Sequence, residues 1–308
     1  MNYFDLHCDT ATECFQKHCS LARNSLALDL ERTAGYEKWA QVFAVWIDDS
    51  LRGEEAFRYF RSVAQFFAGE TAKNKGTVSF CRTAGELKKA AGSGKRAALL
   101  SIEGSAALAG NLQHLYDAKR LGVSLITLTW NGRCEVGDGC GVSDAGGLTP
   151  FGKRLVREMN RLCMVVDVSH LSEKGFWDVA RTAQRPFVAS HSDSKAVCGH
   201  RRNLTDEQFC EIAKGGGLVG MNLCTSFLSE SVASVEDVLR HADHFLNLGG
   251  ENALAVGSDF DGCTPVEGLD RVERMGRLCG LLKDEFGREV ADRIFWKNAF
   301  DFFAKNMN

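Results

Sequence analysis

The stretch FDLHCDT, residues 4 to 10, sets a histidine and an acid two positions apart behind an apolar lead. Side chains on a β-strand alternate faces, so His7 and Asp9 share one side while Leu6 and Cys8 take the other. Two ligand-type side chains on one face make half of a metal site, and the other half must come from elsewhere in the chain. The same residue types end other short apolar runs: Glu103 ends AALLSIE, His170 ends MVVDVSH, His191 ends PFVASH, and Asp259 and Asp261 follow ALAVGS. A His/Asp/Glu set without cysteine suits a catalytic zinc or a similar divalent ion that keeps one position open for water. Five protein ligands exceed what one four-coordinate ion takes. Two ions about 3.5 Å apart, sharing Glu103 as a bridging carboxylate and clamping a hydroxide, account for the surplus.

Elements must bring these residues together. Eight apolar runs occur in order, YFDLH, VFAVWID, AALLSIE, SLITLTW, MVVDVSH, PFVASH, GLVGMNL and ALAVGSDF, with helix-length amphipathic segments between them. Runs without strict alternation fit parallel strands buried on both faces. Eight strand–helix units with no composition break point to a closed (β/α)8 barrel, spanning residues 1–308 as one domain. A dinucleotide-binding sheet would want a glycine-rich turn after the first strand, and LHCDTAT has none. The segment after Pro265 reads as two closing helices that cover the barrel. In such barrels the reactive groups sit at the carboxyl ends of the strands, which is where His7, Asp9, Glu103, His170, His191 and Asp259 fall. His114, His241 and His244 lie in helical segments and are expected to be solvated. Thr205 with Gln208 predicts a capping box, and Ser234 a helix start that stops at Gly249.

A net charge of -3 and a pI near 6.3 carry no signature of nucleic-acid or anionic-membrane binding. No run of roughly 18 apolar residues and no secretion-type leader is seen, so a cytoplasmic location is expected. The 12 cysteines include no CxxC pair and read as reduced thiols. Cys134 and Cys140, in a glycine-rich loop, are the pair to watch.

FDLHCDT, SIEG, the tail of MVVDVSH, ASHSDSKAVCGHRRN and GSDFDG, in this order over residues 4 to 262, resemble the signature segments of the renal, or membrane, dipeptidase family, binuclear zinc peptidases among the amidohydrolase-like barrels. The resemblance implies a zinc-dependent dipeptidase acting on small-molecule dipeptides. It implies that His7 and Asp9 hold one Zn2+, that His170 and His191 hold the other, and that Glu103 bridges them. Asp259 would take a proton from the attacking water and pass it to the leaving amine, and Arg202 would grip the substrate's terminal carboxylate. A homodimer is implied by the resemblance alone.

The chain departs from the family in two places. Members carry a histidine at the end of the fourth strand that steadies the tetrahedral intermediate; here LTLTWNG has Trp130 there, followed by Asn131. Tryptophan donates one N–H and carries no charge, so the oxyanion would lean on the metals, on Asn131 or on Arg133. Phe227 stands near a family tyrosine, either as a substrate contact without its hydroxyl or as a core aromatic. The loop from Trp130 to Pro150 exceeds the usual length of a βα connection and reads as a lid or a substrate wall. Fold and metals do not fix the substrate. A barrel metallohydrolase of N-acyl amino acids, cyclic amides or lactones therefore stays open as an alternative, as does a non-catalytic binding protein.

Overall fold

The computed structural model describes residues 1–307. Nine strands form in chain order: β1 Asn2–Cys8, β2 Lys38–Trp46, β3 Val78–Phe80, β4 Arg96–Glu103, β5 Val123–Thr127, β6 Val165–Asp167, β7 Val188–Ala189, β8 Leu218–Met221 and β9 Leu254–Val256. Eight of them close a parallel ring, β1-β2-β4-β5-β6-β7-β8-β9, with β9 returning to β1. These are the eight runs expected from the sequence, and the fold is the expected α/β barrel. β3 is the strand that was not anticipated. Because β5 pairs with β4 only from Leu100 onward, the edge of Arg96–Ala98 is left open and the three residues of β3 fill it.

The register decides what the strands contribute to the inside. Phe4, Leu6, Val42, Leu99, Leu125, Val165, Val188, Leu218 and Ala255 form one buried cluster together with Ala299, Phe302, Phe303 and Met307. One or two residues from each ring strand thus fill the barrel, and the C-terminal helix closes its amino end. Phe4 stacks on Phe303 with ring centroids 5.3 Å apart. The second core lies between strands and helices and includes Cys8, Phe43, Val45, Leu100, Ile102 and Val166.

This assignment corrects the simple alternation expected for β1. Phe4 and Leu6 point into the barrel, while Cys8 faces the helices together with Tyr3. The reason is a bulge: Asp5 pairs with Gln41 and Cys8 with Phe43, so three steps on β1 match two on β2. The extra residue lets both Leu6 and His7 serve the interior. Farther round, β7, β8 and β9 approach so closely that a Cβ at Gly257 or Gly220 would lie 1.8 or 2.0 Å from the Ser190 carbonyl oxygen. Only glycine fits at these two positions.

The helices begin and end on the signals read from the sequence. Asp206–Lys214 starts with the Thr205/Gln208 capping box. Val235–Asn247 is boxed by Ser234 and Asp237 and is followed by Gly249 in the left-handed region, φ 87°. The chain ends in helix Met275–Phe286 and a continuous run from Arg288 to Asn306 that widens to a π turn at Arg293–Lys297. Two of the three helical histidines are not solvated as expected. His114 is buried and stacks on Phe57 at 3.6 Å. His241 is fully buried, its Nδ1 accepting from the Ser194 N–H and its Nε2 donating to the Leu228 carbonyl, at 3.0 and 3.1 Å. Half-exposed His244 pairs with Asp206.

Candidate active site

The carboxyl ends of the ring strands converge on one cluster. His7 lies within β1 and Asp9 just beyond it, Glu103 is the last residue of β4, and His170, His191 and Asp259 sit two or three residues past β6, β7 and β9. All six are buried. His170 and Asp259 have φ of 66° and 60°, left-handed conformations that cost a non-glycine residue ~1–3 kcal/mol and occur where surroundings over-determine them.

Glu103 stands at the centre with one oxygen for each side. Its Oε2 is 3.5 Å from His7 Nε2, while its Oε1 is 2.8 Å from His170 Nε2 and 3.5 Å from His191 Nε2. His7 Nε2 is also 3.3 Å from Asp9 and 3.8 Å from Asp259. Donor atoms gather in three overlapping groups, each within 4.8 Å: His7, Asp9 and Glu103; Glu103, His170 and His191; His7, His191 and Asp259.

Hydrogen bonds behind His170 and His191 fix their tautomers, whereas His7 Nδ1 is buried without a partner. Ser190 Oγ donates to Asp167 Oδ2 at 2.6 Å, so toward His191 it can only accept, and His191 Nδ1 carries the proton at 2.7 Å. His170 Nδ1 likewise donates to Asn131 Oδ1 at 2.9 Å. Both Nε2 atoms therefore present lone pairs, and they face one another at 2.9 Å. Two opposed lone pairs with a carboxylate oxygen between them are satisfied by a cation and by little else, so the donor set fits a divalent metal. Asp9 Oδ1, buried without a partner, adds to the fit.

The electrostatics agree. Burial and the neighbouring Arg202 hold the imidazole of His170 down at about 4, and burial with His7 holds His191 well below its ordinary value, so both rings are neutral and free to donate a lone pair. Burial opposes a charge on His7, but Glu103 and Asp9 outweigh it and raise its pKa well above the usual range. Burial and the charge of Glu103 push Asp9 up to about 8. Burial also raises Asp259, whose Oδ2 accepts from Asn222 Nδ2 at 3.0 Å.

A cavity of about 600 Å³ opens onto this cluster, walled by Trp46, Trp130, Asn131, Cys224, Phe227 and Cys263 among others. Trp130 and Trp46 meet edge to face at 5.1 Å. Asn131 spends its carbonyl oxygen on His170. Phe227 is a wall residue and not a core aromatic, stacked on His200 at 4.7 Å with the Arg202 guanidinium 5.3 Å from its ring centroid. Arg202 is buried behind that wall, donating to the His191 carbonyl at 3.2 Å and leaving its Nε unpartnered. Arg133 is not at the site: it pairs with Asp138 at 2.6 Å and does not line the cavity. Trp130 and Asn131 begin the long loop and form a wall; the rest folds on itself through bridges Arg133–Asp138 and Gly137–Leu148. Cys134 and Cys140 remain free thiols.

Four functional neighbours escaped the reading of strand ends. Asp167 accepts from Thr127, Ser169 and Ser190 and so steers His191. Asp5 accepts from the His7 and Ser258 amides. Asp193 holds the Asn222 amide, and Asn222 holds Asp259. The available signal was an acid inside an otherwise apolar strand, as in FDLH and MVVDV. Asp261 lies apart from the cluster, accepting from Thr10 and the Ala27 amide to fasten the loop after β9.

Known proteins share this arrangement. The sequence matches the model of membrane dipeptidase, peptidase family M19, over residues 1–306. A dipeptidase AC, a metallopeptidase of that family, superposes with a TM-score of 0.93 at 30% identity, covering 100% of this chain and 99% of its own. A metallopeptidase from Rhodobacter sphaeroides, solved with a phosphinate mimic of L-Ala-D-Ala, gives 0.93 at 29% identity over 99% of both chains. An uncharacterized protein in the pqqA 5' region of Klebsiella pneumoniae is 35% identical over 239 residues, 74% of this chain and 88% of its own. With the barrel and its ligand cluster in place, the chain belongs to the membrane dipeptidase family, peptidase family M19, and is a metal-dependent dipeptidase.

Proposed function

We propose that the chain cleaves dipeptides with two zinc ions, one held by His7 and Asp9, the other by His170 and His191, and both by Glu103. The observation that carries this reading is the split of Glu103, one oxygen toward each histidine group. When bound, such ions lower the pKa of water to about 7 and polarise the scissile carbonyl.

The protein's own groups do the rest. Asp259, raised by burial and aimed by Asn222, accepts a proton from the attacking water and returns it to the leaving amine. A positioned carboxylate in this role contributes ~10²–10⁴-fold. Arg202 lends positive charge beside His170 and pairs with the terminal carboxylate, which limits substrates to short peptides. Trp130, Trp46 and Phe227 enclose the side chains of the substrate and exclude water, and Asn131 keeps His170 in its ligating tautomer. The 1–308 chain works as one barrel domain, in a homodimer and in a reducing compartment such as the cytoplasm. Among the described residues no helix is long and apolar enough to cross a membrane.

The test joins metal analysis to turnover. Purified protein should carry two zinc equivalents per chain and lose dipeptide hydrolysis on chelation. Asp259→Asn should keep the metal while losing ~10²–10⁴ in kcat. Full activity in metal-free protein would overturn the proposal.

A further inference from the structure

Two thiols in the cavity wall have no part in the proposed mechanism. Cys224 follows β8 and Cys263 follows β9, and both line the cavity that opens onto Asp259. Their loops run antiparallel and are already joined: Cys224 bridges Pro265, the Thr225 amide donates to the Thr264 carbonyl at 3.1 Å, and the Val266 amide to the Leu223 carbonyl at 2.9 Å. The pairing gathers both cysteines at one side chain: Asn222 Oδ1 accepts from the Cys224 amide at 2.7 Å and from the Cys263 thiol at 4.0 Å. Two thiols far apart in the chain thus stand side by side on the wall of the cavity that contains Asp259.

We propose that Cys224 and Cys263 form a peroxide-reactive dithiol that closes into a disulfide across the wall of the active site and slows the enzyme. The chemistry balances with one peroxide. The Cys224 thiolate attacks a peroxide oxygen, the O–O bond breaks, and the departing hydroxide takes a proton to become water, leaving a sulfenic acid. The Cys263 sulfur then attacks the Cys224 sulfur; the S–O bond breaks and the second water leaves with the Cys263 proton. Two thiols lose two electrons, and the peroxide is reduced to two waters.

The surroundings suit each partner to its step. Neighbouring Cys263, with Ser226 Oγ 3.2 Å away, outweighs burial and lowers the Cys224 thiol to about 6, which suits it to the attacking role. Cys263 reaches Asn222 Oδ1 at 4.0 Å and borders Asp259. A disulfide withdraws the Cys263 thiol from this group and ties the short helix Thr225–Leu228, which carries Phe227, to the loop that carries Asp259 and Asp261. Both consequences fall on residues that face the substrate. Exposed Cys210, on helix Asp206–Lys214, has no such neighbour and serves as an internal control.

The experiment is a hydrogen peroxide titration of the whole metal-loaded protein, read by mass spectrometry after alkylation of remaining thiols and by dipeptide turnover. The expected result is a linked peptide pair containing residues 224 and 263, about 2 Da lighter than the sum of the reduced peptides. It should form at lower peroxide than Cys210 oxidation, with a parallel fall in turnover that dithiothreitol reverses. Cys224→Ser and Cys263→Ser should each remove the reversible fall, measured as the ratio of treated to untreated rate. Recovery of both cysteines as alkylated thiols at a peroxide dose that oxidises Cys210 overturns the proposal. So does a linked pair that forms without any change in turnover. The peptide map uses the wild-type chain and needs no activity, so failure of the dithiol and failure of the dipeptidase assignment are told apart.

Discussion

Ser190→Ala tests whether the hydrogen bonds behind the ligands set the affinity of the site. Ser190 Oγ sits between Asp167 Oδ2, to which it donates at 2.6 Å, and His191 Nδ1, from which it accepts at 2.7 Å. Removing the hydroxyl leaves Asp167 its bonds from the Ser190 and Ser169 amides and from Thr127, so the acid stays largely satisfied. His191 is less fortunate. Its Nδ1–H is left in a fully buried place without an acceptor, at a cost of ~1–3 kcal/mol. The ring can escape by moving its proton to Nε2, toward Glu103 Oε1 at 3.5 Å, but that spends the lone pair meant for the metal. Either way the ligand is weakened, and loss of such outer partners costs 10–100-fold in metal affinity, roughly 1.4–2.8 kcal/mol. Under the proposed two-zinc reading, competition with a chromophoric chelator at fixed pH should show one metal equivalent weakened by this factor and the other, assigned to His7 and Asp9, little changed. Equal affinity of wild type and variant for both equivalents would refute the tautomer argument.

Glu103→Gln, at the shared carboxylate, should weaken both zinc equivalents together, where Ser190→Ala weakens one; metal analysis after dialysis distinguishes them. Arg202→Ala should raise KM sharply for free dipeptides and much less for C-terminally amidated ones, and equal effects on both would remove the carboxylate role. His241 gives a pH prediction. Burial holds its imidazole at about 4 in the folded protein, against ~6.5 unfolded, so between these values the unfolded chain binds a proton that the native state refuses. Stability from this residue is therefore intact above pH 6.5 and falls on acidification, by at most about 3 kcal/mol near pH 4. His241→Gln, which keeps one donor and one acceptor, should flatten the acid limb of the urea-midpoint curve. In the barrel interior, Leu125→Ala should cost ~2–5 kcal/mol by leaving a cavity, seen in the same denaturation assay.

Much of this molecule is legible in one dimension. The eight ring strands are apolar because both faces are covered, so they show as runs bounded by polar residues, and each ligand stands at or just past a run's end. Their order along the chain, with parallel strands, leaves one place for them to meet. Short elements were less visible: β3 has three residues and exists because β5 leaves part of β4 uncovered, a fact about neighbours rather than about VSF itself. Helical histidines misled for a similar reason. His114 and His241 have helix spacing like any surface histidine, and only packing against Phe57 and against the Ser194 amide buries them.

The sequence by itself determined the barrel, the candidate residues at its strand ends and the kind of chemistry, since residue types and the alternation of apolar runs with amphipathic helices are local properties. Tertiary structure alone decided the rest. The bulge in β1 turns His7 inward along with Leu6, because the register against Gln41 and Phe43 skips one residue. Glu103 divides its oxygens between His7 on one side and His170 with His191 on the other because three other strands, β1, β6 and β7, bring those residues to either side of it. Asp167 and Ser190 fix a tautomer, and Cys224 meets Cys263, through contacts between chain segments far apart in sequence. Such outcomes rest on distances of a few ångströms across the barrel, which no spacing along the chain encodes.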